Sequence, residues 1–269
     1  MITMTIALAA ACGAFSAFRW GFDLGAGWSI FAGTCAFVTV QAVVGLKYRR
    51  SAEAVAKNVQ SMMLSGRSNA EAKMKRWQFA PPGSMKEAQR ELERDARAVT
   101  LSAIKASSEL LRWKGWVPFV ERQVATMQLH MRWAMKDFNE VDRLMDKAIM
   151  AGPEAVALKL ARMHMLGRDI GEMRKVHEKG ARRAKYNGYV LPDACFSWIL
   201  VKRGLADEAF KLLGDAVNRS DNETLKNNRL HLMNGRQEHF SNSGLGDIWW
   251  SLHLEEPKMK PPRQHRRYR

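Results

Sequence analysis

The sequence predicts an all-α protein: a two-helix membrane hairpin at its N-terminal end, then a soluble α-solenoid of about three helix pairs. Three observations predict it. Residues 2–18 and 24–46 are two uncharged, strongly apolar runs separated by only Arg19-Trp20-Gly21-Phe22-Asp23. Beyond them, apolar residues recur at three- and four-residue spacing, and no stretch combines period-two alternation with the Val, Ile, Thr and aromatic enrichment of a strand. Finally, three segments between residues 136 and 217 align with one another.

Charge separates the two parts. The 269 residues carry 43 Lys and Arg against 27 Asp and Glu, a net +16 at pH 7. Residues 1–46 hold only Arg19 and Asp23, so the whole excess lies in residues 47–269. A hydrophobic content of 46% excludes a disordered chain, and three cysteines are too few to staple a fold of this length.

The hairpin is residues 1–46. Its first run is at the lower end of what crosses a hydrocarbon core of about 30 Å. A secretory signal peptide would need a basic segment ahead of the apolar run, and here a second apolar run follows directly instead. Gly13 and Ala17, and Gly25, Ser29 and Gly33, recur every fourth residue, a stripe that lets helices approach closely in lipid. The stripe serves packing within the hairpin or oligomerisation through the span faces. Lys47, Arg49, Arg50 and Lys57 crowd the exit of the second run, whereas the connector offers only Arg19. The positive-inside rule then places both termini in the cytoplasm, as for a two-span protein of a bacterial inner membrane.

Residues 47–83 read as a basic juxtamembrane helix broken by Phe79-Ala80-Pro81-Pro82-Gly83. Ser84 followed by Glu87 is a capping pair that opens a long amphipathic helix over residues 84–116, continuing through Leu110 and Trp113 to a stop at Gly115. Trp116-Val117-Pro118 restarts a helix. Residues 117–240 hold the repeats and residues 241–269 a capping segment and basic tail. In the tail, Trp249 and Trp250 either cover the last repeat or meet a partner or membrane interface. The stretch from Pro257 is Pro-rich and basic, the composition of a disordered segment.

The aligned segments are residues 136–149, 168–181 and 204–217. Equivalent positions carry Phe138, Ile170 and Ala206; Val141, Met173 and Ala209; Met145, His177 and Leu213; and Ala148, Gly180 and Ala216. The small residue of the last set permits close helix packing, and the larger ones a turn earlier fill the groove. Asp137 with Glu140 and Asp169 with Glu172 are capping pairs for the second helix of two repeats. These positions, with Pro153 in the loop and Ala161 and Ser197 at the small position of the first helix, resemble the tetratricopeptide repeat. The resemblance covers residues 117–220 and implies paired helices and a protein-binding groove; the pentatricopeptide repeat shares the helix pairing. Leu129 stands at that small position in the first repeat, and the Trp and Gly of the consensus are missing. A hairpin, a basic exit and then repeats also resemble the N-terminal architecture of HemY-type bacterial membrane proteins, which would imply association with a tetrapyrrole pathway.

Catalytic and metal motifs are missing. There is no Cys-x-x-Cys pair, no His-Glu-x-x-His, no Gly-rich phosphate loop and no Gly-x-Ser-x-Gly elbow. No enzyme activity and no cofactor are expected. Basic residues instead concentrate in two flanks. Residues 47–76 hold eight Lys or Arg against two Glu, and residues 257–269 hold six with no acid. Lys47, Arg49, Arg50 and Lys57, with Arg263, Arg266, Arg267 and Arg269 in the tail, are therefore candidates for anionic headgroups at a membrane surface. A third cluster, Arg174, Lys175, Lys179, Arg182, Arg183 and Lys185, is either a solvated helix face or a contact for an anion or acidic partner. An array that bound nucleic acid along its length would be basic throughout, so nucleic acid is the less favoured partner. The expectation is a membrane-anchored scaffold whose cytoplasmic repeats hold a protein partner. The alternative is a membrane-tethered binder of RNA or an anionic ligand.

Overall fold

The computed structural model describes residues 2–22, 25–80, 83–182 and 188–256. All regular structure among them is helical. The chain forms two compact units, Met1–Ile149 and Met150–Arg269.

The first unit starts with α1 (Ile2–Ser16), which widens into a π-helical turn over Ala17–Gly21, and α2 (Ala26–Trp77). With that turn included, Ile2–Gly21 is long and apolar enough to cross a membrane, as is α2. They pack on a stripe of small residues: Thr3 and Ala7 of α1 are buried, as are Ser29 and Gly33 of α2. At Gly33 a Cβ would lie 3.0 Å from the Ala11 carbonyl oxygen, so this position carries the closest approach. Gly13 and Gly25 have open space beside them and do not take part. The expected juxtamembrane helix is not separate: α2 runs unbroken through Leu46 and the basic exit to Trp77.

Ser84 accepts from the Glu87 amide and opens α3 (Met85–Ser107), which packs along the polar half of α2. Lys73 of α2 reaches Glu91 at 2.7 Å and also Asp95, and Gly66 lies against Val99. The α-helix expected to reach Trp113 ends at Ser107 and tightens into a 3₁₀ segment, Ser108–Trp113. The cause is competition for the ladder. The hydroxyls of Ser107 and Ser108 both donate to the Ile104 carbonyl, at 2.6 and 3.1 Å, and Gln128 donates to both hydroxyls. Nor does a helix restart at Pro118. Phe119 has φ of 65°, a left-handed conformation that costs a bulky residue on the order of 1–2 kcal/mol, and α4 (Val120–Ala134) begins after it. The α4 helix closes a core on Val55, Leu110, Val120 and Val124 and a second on Ala103, Ile104 and Met131. It is followed by α5 (Phe138–Met145).

The second unit holds α6 (Pro153–Met165), α7 (Ile170–Ala181), α8 (Val190–Lys202), α9 (Ala206–Arg219), α10 (Glu223–Met233) and the short α11 (Asp247–Trp250). Helix α8 is apolar on every side, buried from Leu191 through Leu200, and touches α6, α7 and α9; it is the centre of this unit. The tail of the fold is tied to it through buried amides. Asn242 donates to the Ala194 carbonyl at 2.9 Å and accepts from Asn228 at 2.8 Å. Trp249, fully buried, meets Trp198 edge-on, and both indole N–H groups donate to the Glu255 carboxylate at 2.9 Å.

One turn recurs through both units. Helices α4, α6, α8 and α10 each end two residues before a left-handed residue: Lys136, Gly167, Gly204 and Gly235. In each, the following amide reaches back to the last helical turn: Asp137 to Arg132, Arg168 to Met163, Leu205 to Leu200 and Arg236 to His231. This is the doubly bonded helix stop that favours glycine, with Lys136 in glycine's place in the first. The aligned positions Val141, Met173 and Ala209 are all fully buried. Asp169 caps α7 as expected, accepting from Gly171 at 2.7 Å. Asp137 does not cap α5, because Arg132 holds its carboxylate at 2.8 Å. Helix α5 also stops short of Ala148, which is nonetheless buried.

The small residues differ in tolerance. Ala216 is fully buried against Ala194, Leu213 and Leu225, and a Cβ on Gly180 would come 2.9 Å from Val156. Ala216→Leu and Gly180→Val should each destabilise the full chain by about 1–3 kcal/mol through overpacking, read as a lowered thermal midpoint in detergent. Gly13→Ala, with open space around it, should leave the midpoint unchanged.

Candidate membrane anchor and ligand cavities

At the anchor, Lys47, Arg49, Arg50 and Lys57 are all exposed on α2. Arg49 pairs with Glu53 at 2.8 Å. Lys57 stands about 15 Å beyond Lys47 along the helix, at about 1.5 Å per residue. That exceeds the Debye length of about 8–10 Å at ordinary salt, so the field of a surface at Lys47 is largely screened at Lys57. The tail residues Arg263, Arg266, Arg267 and Arg269 lie outside the described residues.

In the second unit, two cavities flank α7. The first, of about 670 Å³, is floored by Val156, Gly180 and Tyr189 and rimmed by Lys159, Lys175, Lys179 and the N-terminal turn of α6. Among the described residues, no acidic side chain lines it and none of the three lysines forms an ion pair. The second, of about 510 Å³, carries both signs of charge: Arg174, Lys211 and Arg219 against Glu178, Glu208 and Asp215.

The basic cluster of α7 is therefore divided rather than continuous. Successive helical residues are about 100° apart, which sends Arg174 to one cavity and Lys175 to the other, with Lys179 one turn on beside Lys175. Arg174 is engaged by Glu208 and lies over the Phe196 ring. Arg182 is exposed, 3.9 Å from Glu178. Arg183 and Lys185 lie outside the described residues. Lys159 and Glu208 had no local signal in the sequence, since only the packing of α6 and α9 brings them to α7.

Beneath the second cavity lies a buried polar cluster. Asp193, in the first turn of α8, accepts from His177 Nε2 at 2.7 Å, and Arg219 donates to both of its oxygens at 3.0 Å. His177 stacks on Phe196, and the Tyr189 hydroxyl donates to the His177 carbonyl. Burial, and then the Asp193 charge, push the Tyr189 phenol far above its ordinary range. Burial likewise pushes up the thiol of Cys195, which therefore stays protonated and unreactive. Among the described residues, no three His, Cys, Asp or Glu side chains are grouped to hold a metal ion. Comparison with known protein families, curated proteins and solved structures finds no match.

Asp193 anchors the cluster. Asp193→Asn should cost on the order of 2–4 kcal/mol, somewhat less than a fully buried pair because the Arg219 guanidinium is partly solvated. Arg174→Ala, which removes an exposed pair, should cost less than about 1 kcal/mol in the same unfolding measurement. A separate pH effect comes from His164. Its Nδ1 is buried without a hydrogen-bond partner, and burial first, then Arg203, lowers its pKa. The fold thus favours the neutral ring, so stability is full above the ordinary histidine range of about 6.5 and falls as the pH drops through it. His164→Phe should flatten that fall between about pH 7.5 and about pH 5.5, relative to the parent.

Proposed function

We propose that this chain is a membrane-anchored adaptor. Helices α1 and α2 cross the membrane as a hairpin with both termini cytoplasmic, and the tetratricopeptide-like helix pairs hold a protein partner. The observation that carries this reading is the continuity of α2, one helix from the apolar run of the second span through Lys47, Arg49 and Arg50 to the packing site of α3. Whatever is built on its polar half is fixed to the membrane boundary. The recurring helix stop after α4, α6, α8 and α10 supports the repeat reading. The two-signed lining of the second cavity suits a polypeptide partner, because it offers both donors and acceptors. The adaptor works by positioning and not by catalysis.

A second reading is favoured by the all-basic rim of the first cavity: Lys159, Lys175 and Lys179 fit a small anionic ligand or a phosphate. Added salt separates the two, because phosphate binding weakens steeply with ionic strength and groove recognition weakens much less.

Reporter fusions test the topology. A reporter placed after Arg269, and one placed before Met1, should both behave as cytoplasmic in a bacterial host. A periplasmic signal from the C-terminal fusion would overturn the orientation, and with it the assignment of Lys47, Arg49 and Arg50 to a cytoplasmic leaflet.

A further inference from the structure

The turn between α3 and α4 is docked on the end of the hairpin. The Ile2 amide, in the first turn of α1, donates to the Gly115 carbonyl at 2.8 Å, and the Thr3 hydroxyl donates to the Trp116 carbonyl. The Ile2 amide is one of the donors that the start of a helix otherwise leaves to water or to a cap. On the other side, Arg112 and Trp113 both donate to the Ser51 hydroxyl of α2, at 2.7 and 3.2 Å, and Trp113 meets the Tyr48 ring edge-on. The turn is thereby held between the first apolar residue of one span and the point where Lys47, Arg49 and Arg50 leave the other.

Its outer surface carries apolar side chains that stay partly exposed among the described residues. Leu111 is 39% exposed, Trp116 38% and Phe119 64%. Phe119 is shown to solvent by a left-handed backbone that a small polar residue would adopt more easily. Aromatic side chains beside basic ones, here Arg112 and Lys114, are the composition of a headgroup boundary.

We propose that Leu111, Trp116 and Phe119 form a third membrane contact, inserted into the interfacial zone of the same leaflet from which α2 exits. This rests on the reading of α1 and α2 as spans. The occupant is the bilayer, because the patch is continuous with the lipid-facing ends of the hairpin and is bonded to it through backbone groups. The contact fixes how the first unit is oriented on the membrane: a hairpin alone leaves it free to tilt, and a third point off the hairpin removes that freedom.

The test uses the full chain with Cys12 replaced by Ala, reconstituted in vesicles of phosphatidylcholine and phosphatidylglycerol. Single cysteines carrying an environment-sensitive fluorophore are placed by Phe119→Cys, Trp116→Cys and, as a control on α3, Arg90→Cys, each with Cys35→Ala; the native Cys35 labels the span itself. Buried Cys195 stays in place as an unreactive thiol. Quenching by lipids with a spin label near the headgroup should be several-fold stronger at positions 116 and 119 than at 90. Lipids labelled deep in the chain should quench Cys35 most. If positions 116 and 119 are as unquenched as position 90 while Cys35 is quenched, the third contact is wrong and the spans stand. If Cys35 is also unquenched, the span reading fails and takes the third contact with it. Two reporter positions in the turn keep the result readable if one substitution disturbs the local backbone.

Discussion

Everything in the first unit depends on one unbroken helix. The 52 residues of α2 change solvent preference at Lys47 without changing backbone geometry. In lipid this is a requirement, since a helix satisfies its own backbone donors and acceptors where no water can. Beyond the apolar run the same geometry becomes a rigid post. Val55 and Val59 lead into the packing of α4, Gly66 admits α3, and Lys73 ties the far end to Glu91 and Asp95. A kink near Lys47 would detach the later helices of the first unit from α1 and the apolar half of α2. Nothing in α2 between Lys47 and Trp77 is a proline, and Gly66 is placed where close approach needs it.

The second unit solves a different problem, that of an apolar helix in water. Helix α8 has no polar face to give to solvent, so α6, α7 and α9 surround it, and the segment around Asn242 and Trp249 is drawn in by hydrogen bonds to Ala194, Asn228 and Glu255. Asp193, the one buried carboxylate among the described residues, is met by both His177 and Arg219. This arrangement fixes α7 and α9 against α8 by a directional contact, where the surrounding apolar packing is tolerant of direction. The two cavities follow from the same placement: α7 leans over α8 and leaves a basic hollow on the side of α6 and a two-signed one on the side of α9.

Much of the helical pattern was legible because it is local. Apolar runs and the Ser84 cap announce their roles by residue type and spacing, whereas Pro153, expected in a loop, opens α6. What was not legible depends on partners far away in the chain. Asp137 reads as a cap as well as Asp169 does, until Arg132 claims it. The tightening of the helix after Ser107 depends on Gln128, and the late start of α4 on the left-handed turn at Phe119. At the candidate sites, sequence adjacency suggested one basic patch on α7, whereas helical rotation separates Arg174 from Lys175 and tertiary packing supplies Lys159.

On the proposed reading, α1 and α2 lie in a bilayer and hold the later helices of the first unit at its surface. Alkaline carbonate extraction of membranes from cells producing the full chain decides this, because it strips proteins bound only by charge and leaves those with apolar helices in the bilayer. The full chain should stay in the sedimented membranes, and a form lacking residues 1–46 should be released. Release of the full chain into the supernatant would contradict it, and would make the exposed apolar surface of the hairpin the contact site for another protein.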